Sequence, residues 1–130
     1  MLPLVDMTDR ILILDDDDQL AYAYKEHFSA LGYSVDCAQE LEEAEALLAH
    51  FPYSVVITDL RLSKLGFGGL ELVKHIREQS LKTRIVVLTG YGWPELKSEA
   101  LANHVDAFIR KPTRLTDLVH TIGQLTGGQA

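Results

Sequence analysis

At 130 residues, 47% apolar and 24% charged, the chain has the size and composition of one globular domain, which excludes a disordered segment, a disulfide scaffold and two domains of ordinary size. Nineteen acidic against twelve basic residues leave a net charge of −7 with no Lys/Arg cluster, so direct binding to nucleic acid or to an anionic membrane is not expected. Cys37 is the single cysteine, residues 1–7 lack the basic start and apolar run of a signal peptide, and no stretch reaches membrane-spanning length, which together point to a cytoplasmic protein.

Beyond a tail at residues 1–9, Ile11 to Leu14 is an unbroken apolar run of the kind found in strands buried on both faces. Leu20, Tyr24, His27, Phe28 and Leu31 follow at helical spacing, and Gly32 stands where that helix needs a left-handed stop. Tyr33 to Ala38 is a mixed strand suited to a sheet edge, and Leu41, Ala44, Leu47 and Leu48 mark a second helix. Pro52 interrupts the chain before a third strand, Val55 to Ile57, and Leu70, Val73 and Ile76 form the stripe of a third helix. A fourth strand, Ile85 to Leu88, precedes a shorter helix over Glu95 to Asn103, with Pro94 suited to its first turn. Ala107 to Ile109 is the fifth strand, and Leu115, Leu118, Val119, Ile122 and Leu125 line the last helix. Five alternations of strand and helix call for an α/β domain over residues 10–126, a parallel sheet covered on both faces, with a short tail at 127–130.

A chemically capable residue stands at the carboxyl end of four of these strands: Asp15 to Asp18 after the first, Asp59 after the third, Thr89 after the fourth and Lys111 after the fifth. Open α/β sheets bind ligands outside those ends, where the strand order reverses, so the groups are expected in one pocket. Three or more crowded carboxylates resist ionisation unless a cation compensates, which implies a hard divalent ion. Few protein ligands suit Mg²⁺, which keeps several waters and often shares a phosphate oxygen. Lys111 adds a fixed positive charge and Thr89 a hydroxyl, a set fitted to a small dianionic group and to phosphoryl transfer.

The strings ILILDDDD, VVITDL, VVLTG and AFIRKP, in this order and spacing, resemble the corresponding segments of response-regulator receiver domains over residues 10 to 126. The resemblance implies a flavodoxin-like, doubly wound sheet with strand order 2-1-3-4-5. It implies Asp59 as phosphoacceptor, and Asp16, Asp59 and the backbone carbonyl of Arg61 as ligands of Mg²⁺, with Asp15 supporting the metal from behind its direct ligands. Thr89 and Lys111 would contact the phosphoryl oxygens, and Phe108 would be the aromatic switch. The partners implied are a sensor histidine kinase or phosphotransfer protein and an unspecified downstream effector. The surface of the fourth helix, fifth strand and fifth helix would carry the readout and allow a homodimer. One loop departs from the pattern. Gly69 lies ten residues after Asp59 instead of the family's eight, and Ser63 stands near the place of its usual proline.

Plainer readings exist for several of these residues. Asp17 and Asp18 suit an N-cap and first turn that favour a helix dipole, and Phe108 on a short strand is ordinarily core. Thr89 and Lys111, taken singly, could be surface residues. Trp93 is either an interaction anchor or loop packing, and the five histidines show no ligand-like pairing. A phosphatase of the haloacid-dehalogenase type would use Asp15 and Asp17. It would leave Asp59 unexplained, and Gln19 stands where that family has Thr or Ser. An EF-hand loop lacks its required Gly after Asp15, Asp17 and Gln19. A receiver-shaped interaction domain that no longer uses phosphorylation is the remaining alternative.

Overall fold

Strands that are apolar at every position need cover on both faces. The computed structural model, which describes residues 9–60, 68–90 and 95–127, supplies it with ten elements. They are β1 (Arg10–Leu14), α1 (Asp18–Ala30), β2 (Ser34–Ala38), α2 (Leu41–His50), β3 (Val55–Thr58), α3 (Gly68–Gln79), β4 (Arg84–Thr89), α4 (Glu95–Ala102), β5 (Ala107–Arg110) and α5 (Leu115–Thr126). The strands form one parallel sheet in the order β2-β1-β3-β4-β5, as the resemblance implies. Each strand extends the apolar run that identified it by a residue or so, except β2, which begins one residue later, at Ser34.

The period of two along each strand divides the core into two layers. Leu12 and Leu14 of β1, Val56 of β3 and Ile85 and Val87 of β4 face α2, α3 and α4, where they meet Ala44, Leu72, Val73, Ile76 and Ala100. Ile11, Ile13, Ile57, Val86 and Leu88 face the other way, onto Tyr24 and Phe28 of α1 and Leu118 and Ile122 of α5. Each fully buried Ile or Leu contributes about 1.5–3 kcal/mol relative to exposure, so the central strands anchor the domain.

The first helix shows how local chemistry sets an element. The Asp17 side chain accepts the amide of Leu20 at 3.1 Å and so caps α1, while Asp18 lies in its first turn near the positive end of the helix dipole. The plainer reading of both residues holds. The helix ends at Ala30 with Leu31 as its cap, and Gly32 turns the chain away with a φ of +105° that an L side chain rarely adopts. The apolar stripe needs correction: Ala21, Tyr24 and Phe28 are buried, whereas His27 and Leu31 lie on the solvent side. Ala21 and Phe28 are seven apart and Tyr24 lies between them, which defines a narrower face than the sequence suggested.

At the amino ends of β4 and β5 the nearly buried guanidinium of Arg77 ties three segments together. It donates to the carbonyls of Ser80 (3.2 Å), Thr83 (2.6 Å) and His104 (2.9 and 3.1 Å) and to the Asp106 carboxylate (3.1 Å). Asp106 also accepts the amide of Ile85 at 2.8 Å, so the ends of α3 and α4 and the start of β5 share one polar knot.

The described part of the departing loop begins at Gly68, where α3 starts; its residues 61–67, with Arg61 and Ser63, lie outside the described residues, as do Tyr91, Trp93 and Pro94. Gly69 packs directly on the end of β3. Its amide donates to the Leu60 carbonyl at 3.1 Å, and a methyl group there would run into the backbone of Asp59 and Leu60. Because backbone cannot swing aside like a side chain, Gly69→Ala should cost about 3 kcal/mol, the upper end for overpacking. Urea denaturation measures this directly, and a variant as stable as the parent would show that α3 can slide off β3 freely.

Candidate functional site

The sheet order reverses at β1, which has β2 on one side and β3 on the other, and the polar strand ends gather beside that point. Asp15 follows β1 with its amide on the Ala38 carbonyl, and Asp59 follows β3 with its amide on the Leu14 carbonyl. Lys111 follows β5 with its amide on the Thr89 carbonyl. Backbone pairing thus continues one residue past each strand, which fixes where these side chains start.

The Lys111 ammonium lies between two buried carboxylates, 2.8 Å from Asp15 Oδ2 and 2.9 Å from Asp59 Oδ2. The other oxygen of Asp59 accepts the hydroxyl of Thr89 at 2.7 Å, and the other oxygen of Asp15 accepts the Asp17 amide at 2.9 Å. Asp15 and Asp59 are 3% and 5% exposed and Thr89 is fully buried, so only charge-assisted hydrogen bonds make their burial tolerable. Burial pushes the Lys111 ammonium toward losing its proton, yet the hydrogen bonds and charges of Asp15 and Asp59 outweigh this and raise its pKa above the usual lysine value.

Asp16 stands apart from this clamp, on the exposed side. Its pKa is raised by partial desolvation first and then by the negative charges of Asp15 and Asp59, against a smaller opposing effect of its own backbone amide and of Lys111. The three carboxylates therefore share one electrostatic field, as the crowding argument expects, but the cation compensating Asp15 and Asp59 here is the lysine. Among the described residues no group of three or more His, Cys, Asp or Glu side chains is placed to hold a metal ion. The donor set at hand, an exposed carboxylate beside a buried one, suits an ion that takes few protein ligands and keeps its waters. Arg61 lies outside the described residues.

Phe108 is part-buried on β5 and packs against the layer under α2, α3 and α4. Two supporting contacts are not evident from the sequence alone. Thr58, fully buried, donates its hydroxyl to the Asp59 carbonyl at 2.9 Å, and Gly69 lies against that same carbonyl. A hydroxyl immediately before a strand-end aspartate was the available signal for Thr58. The Gly69 contact brings the start of α3 back onto the end of β3 across the loop between them, which the spacing alone does not reveal.

A doubly wound parallel sheet with an acid–lysine–threonine cluster at its switch point defines a flavodoxin-like α/β fold with a polar site where such folds bind ligands. The family model of the response regulator receiver domain matches residues 11–123, and the chain belongs to that family. It is 30% identical over 124 residues to the transcriptional regulatory protein QseB of Escherichia coli O157:H7, covering 93% of this chain and 56% of that protein. It is 29% identical over 112 residues to the photosynthetic apparatus regulatory protein RegA of Cereibacter sphaeroides, covering 86% of this chain and 60% of RegA. The chain thus spans a little over half the length of these relatives. A crystal structure of a CheY-like response regulator receiver domain from Methanospirillum hungatei JF-1 superposes with a TM-score of 0.86 at 27% identity, over 92% of this chain and 94% of that one. Among the described residues no helix is long and apolar enough to cross a membrane.

Two outcomes follow from the charges. Lys111→Met leaves two buried carboxylates without their cation and should cost about 3 kcal/mol at neutral pH, the lower end for breaking a buried pair. Chemical denaturation would test it, and a cost near zero would mean that water replaces the ammonium. Asp16 behaves oppositely. Its folded pKa lies above the unfolded one, so the folded state holds the extra proton and stability falls as pH rises from the unfolded value of 3.8 to the raised one. In chelator-treated buffer Asp16→Asn should therefore gain stability above that window and gain nothing below it. Solvent screening at this exposed site limits the gain to about 0.5 kcal/mol, and added salt should shrink it.

Proposed function

We propose that Asp59 is the phosphoacceptor of this receiver domain, taking a phosphoryl group from the phosphohistidine of a sensor histidine kinase or a phosphotransfer protein. The observation that carries the reading is the seating of its carboxylate, buried and held on one oxygen by Thr89 and on the other by Lys111. In the transfer, a carboxylate oxygen of Asp59 bonds to phosphorus, the phosphorus–nitrogen bond of the donor breaks, and the imidazole leaves with the electron pair. Most of the work is charge neutralisation, because the transferred group carries its negative charge on three oxygens throughout. The Lys111 ammonium and the Thr89 hydroxyl are at hand to bind two of those oxygens once they release Asp59.

Asp16, Asp59 and the carbonyl of Arg61 would hold Mg²⁺, with Asp15 behind them, and the ion supplies the further positive charge that both donor and product oxygens require. Asp15 meanwhile keeps its bonds to Lys111 and to the Asp17 amide, which anchors the ammonium beside the reacting oxygen. The domain turns over no outside substrate: it phosphorylates its own aspartate and hydrolyses the acyl phosphate slowly, as a signalling element of the cytoplasm.

Thr89 couples the site to the surface. Drawing its hydroxyl from Asp59 toward a phosphoryl oxygen pulls on the end of β4 and opens room for Phe108 on the neighbouring strand to turn inward. The face of α4, β5 and α5 then changes, and an effector or a second copy of the chain reads it, with no direct contact to nucleic acid. To move a mostly inactive population to a mostly active one, phosphorylation must favour the active state by roughly 5.5 kcal/mol.

With Mg²⁺ and acetyl phosphate the chain should gain one alkali-labile phosphoryl group, measured by intact mass. Asp59→Asn should abolish it, and Asp17→Asn, which removes only a helix cap, should retain most of it. Full labelling of Asp59→Asn, or none in the parent, overturns the assignment.

A further inference from the structure

At the opposite end of the sheet from Asp59 a cleft of about 510 Å³ opens between the last turns of α2 and α3 and the residues leading into β3. Its size falls within the range of small-molecule sites, about 300–1,000 Å³. Leu48 and Ile76 give it aliphatic walls, Phe51 and Tyr53 aromatic ones, and Glu45 and His75 stand among its lining residues 3.7 Å apart. Among the described residues no Lys or Arg lines it.

Three features select what would bind. The rings of Phe51 and Tyr53 are 6.5 Å apart at 75°, so a flat ring system can stack on one and meet the edge of the other. The Tyr53 hydroxyl is already spent on Asp36 at 2.6 Å, which leaves the ring as its contribution to the cleft. The Arg10 guanidinium carbon lies 4.3 Å from the centre of Phe51 and 5.7 Å from that of Tyr53, so these rings already carry a cation and a ligand's ammonium must find its counter-charge elsewhere in the cleft. Glu45 supplies it, as the one carboxylate among the described residues of the lining.

We propose that this cleft is a binding site for an aromatic amine, its rings between Phe51, Tyr53 and Ile76 and its ammonium toward Glu45. Nothing in the proposal depends on chemistry at Asp59, because Tyr53 lies at the amino end of the strand whose carboxyl end carries that residue.

The test is an NMR titration of the full chain with 1-naphthylmethylammonium and with its neutral counterpart, 1-naphthalenemethanol. The amine should give saturable, one-site shifts at Leu48, Tyr53 and Ile76, and should bind roughly two- to five-fold more tightly than the alcohol, as expected for a part-exposed ion pair. Glu45→Gln should erase that preference. Ala49 is an exposed lining residue on α2, so Ala49→Phe should block the cleft and remove binding without lowering the melting temperature. Shifts confined to Asp15 and Asp59 would show a general pull on cations and overturn the proposal, as would equal affinity for amine and alcohol. Contacts of Leu2 or Leu4 with Ile76 in the free protein would give the cleft to the chain's own leading segment and overturn it equally.

Discussion

The Lys111 ammonium, held between Asp15 and Asp59, is the interaction on which the rest of the site depends. Two carboxylates almost fully withdrawn from water repel each other, and a single cation 2.8 and 2.9 Å away offsets that repulsion. The lysine comes from the end of β5, whereas the aspartates come from β1 and β3. β4 lies between β3 and β5 in the sheet, so the ion pairs span the strand that carries Thr89. A pocket of this kind is preorganised electrostatically, and its fixed charges cost no rearrangement when another charged group arrives.

The layers beneath make that placement rigid. Because β1, β3 and β4 are apolar on both faces, a shift of register by one residue would exchange the two core layers, and every packed contact under α1 and α5 would be lost to the other side. The acidic run after β1 is consequently divided by geometry. Asp15 is buried in the clamp, Asp16 faces solvent within reach of the same field, and Asp17 caps the helix that covers the sheet.

Much of this was legible in the sequence, for identifiable reasons. Short unbroken Ile, Val and Leu runs alternating with helical stripes read as buried parallel strands, so the sheet and the gathering of Asp15, Asp59, Thr89 and Lys111 followed from their positions at the strand ends. Strand order needed the family resemblance, because periodicity says which faces are buried and nothing about neighbours. The stripe of α1 was drawn too wide because His27 and Leu31 match the helical period as well as Ala21 does, and only the docking angle on the sheet decides among them. The crowded carboxylates suggested a divalent cation. That a lysine from the far strand already bridges two of them is a matter of side-chain reach, which spacing does not encode.

The knot around Arg77 bears on how the sheet can move. At its foot, β5 is bound to α3, α4 and β4 through one guanidinium and the Asp106 carboxylate, with acceptors that are mostly backbone carbonyls and cannot be exchanged. At its head Lys111 makes ion pairs that another anion can take over, while its amide stays paired with the Thr89 carbonyl. A strand riveted at one end and latched at the other behaves as a lever. It cannot slide along its neighbour without breaking the rivet, and its backbone pairing with β4 resists wholesale displacement, so release of the latch favours a swing of the head about the foot, with displacement growing away from Asp106. The largest excursions would then fall where β5 meets the polar pocket, and the smallest where it leaves α4.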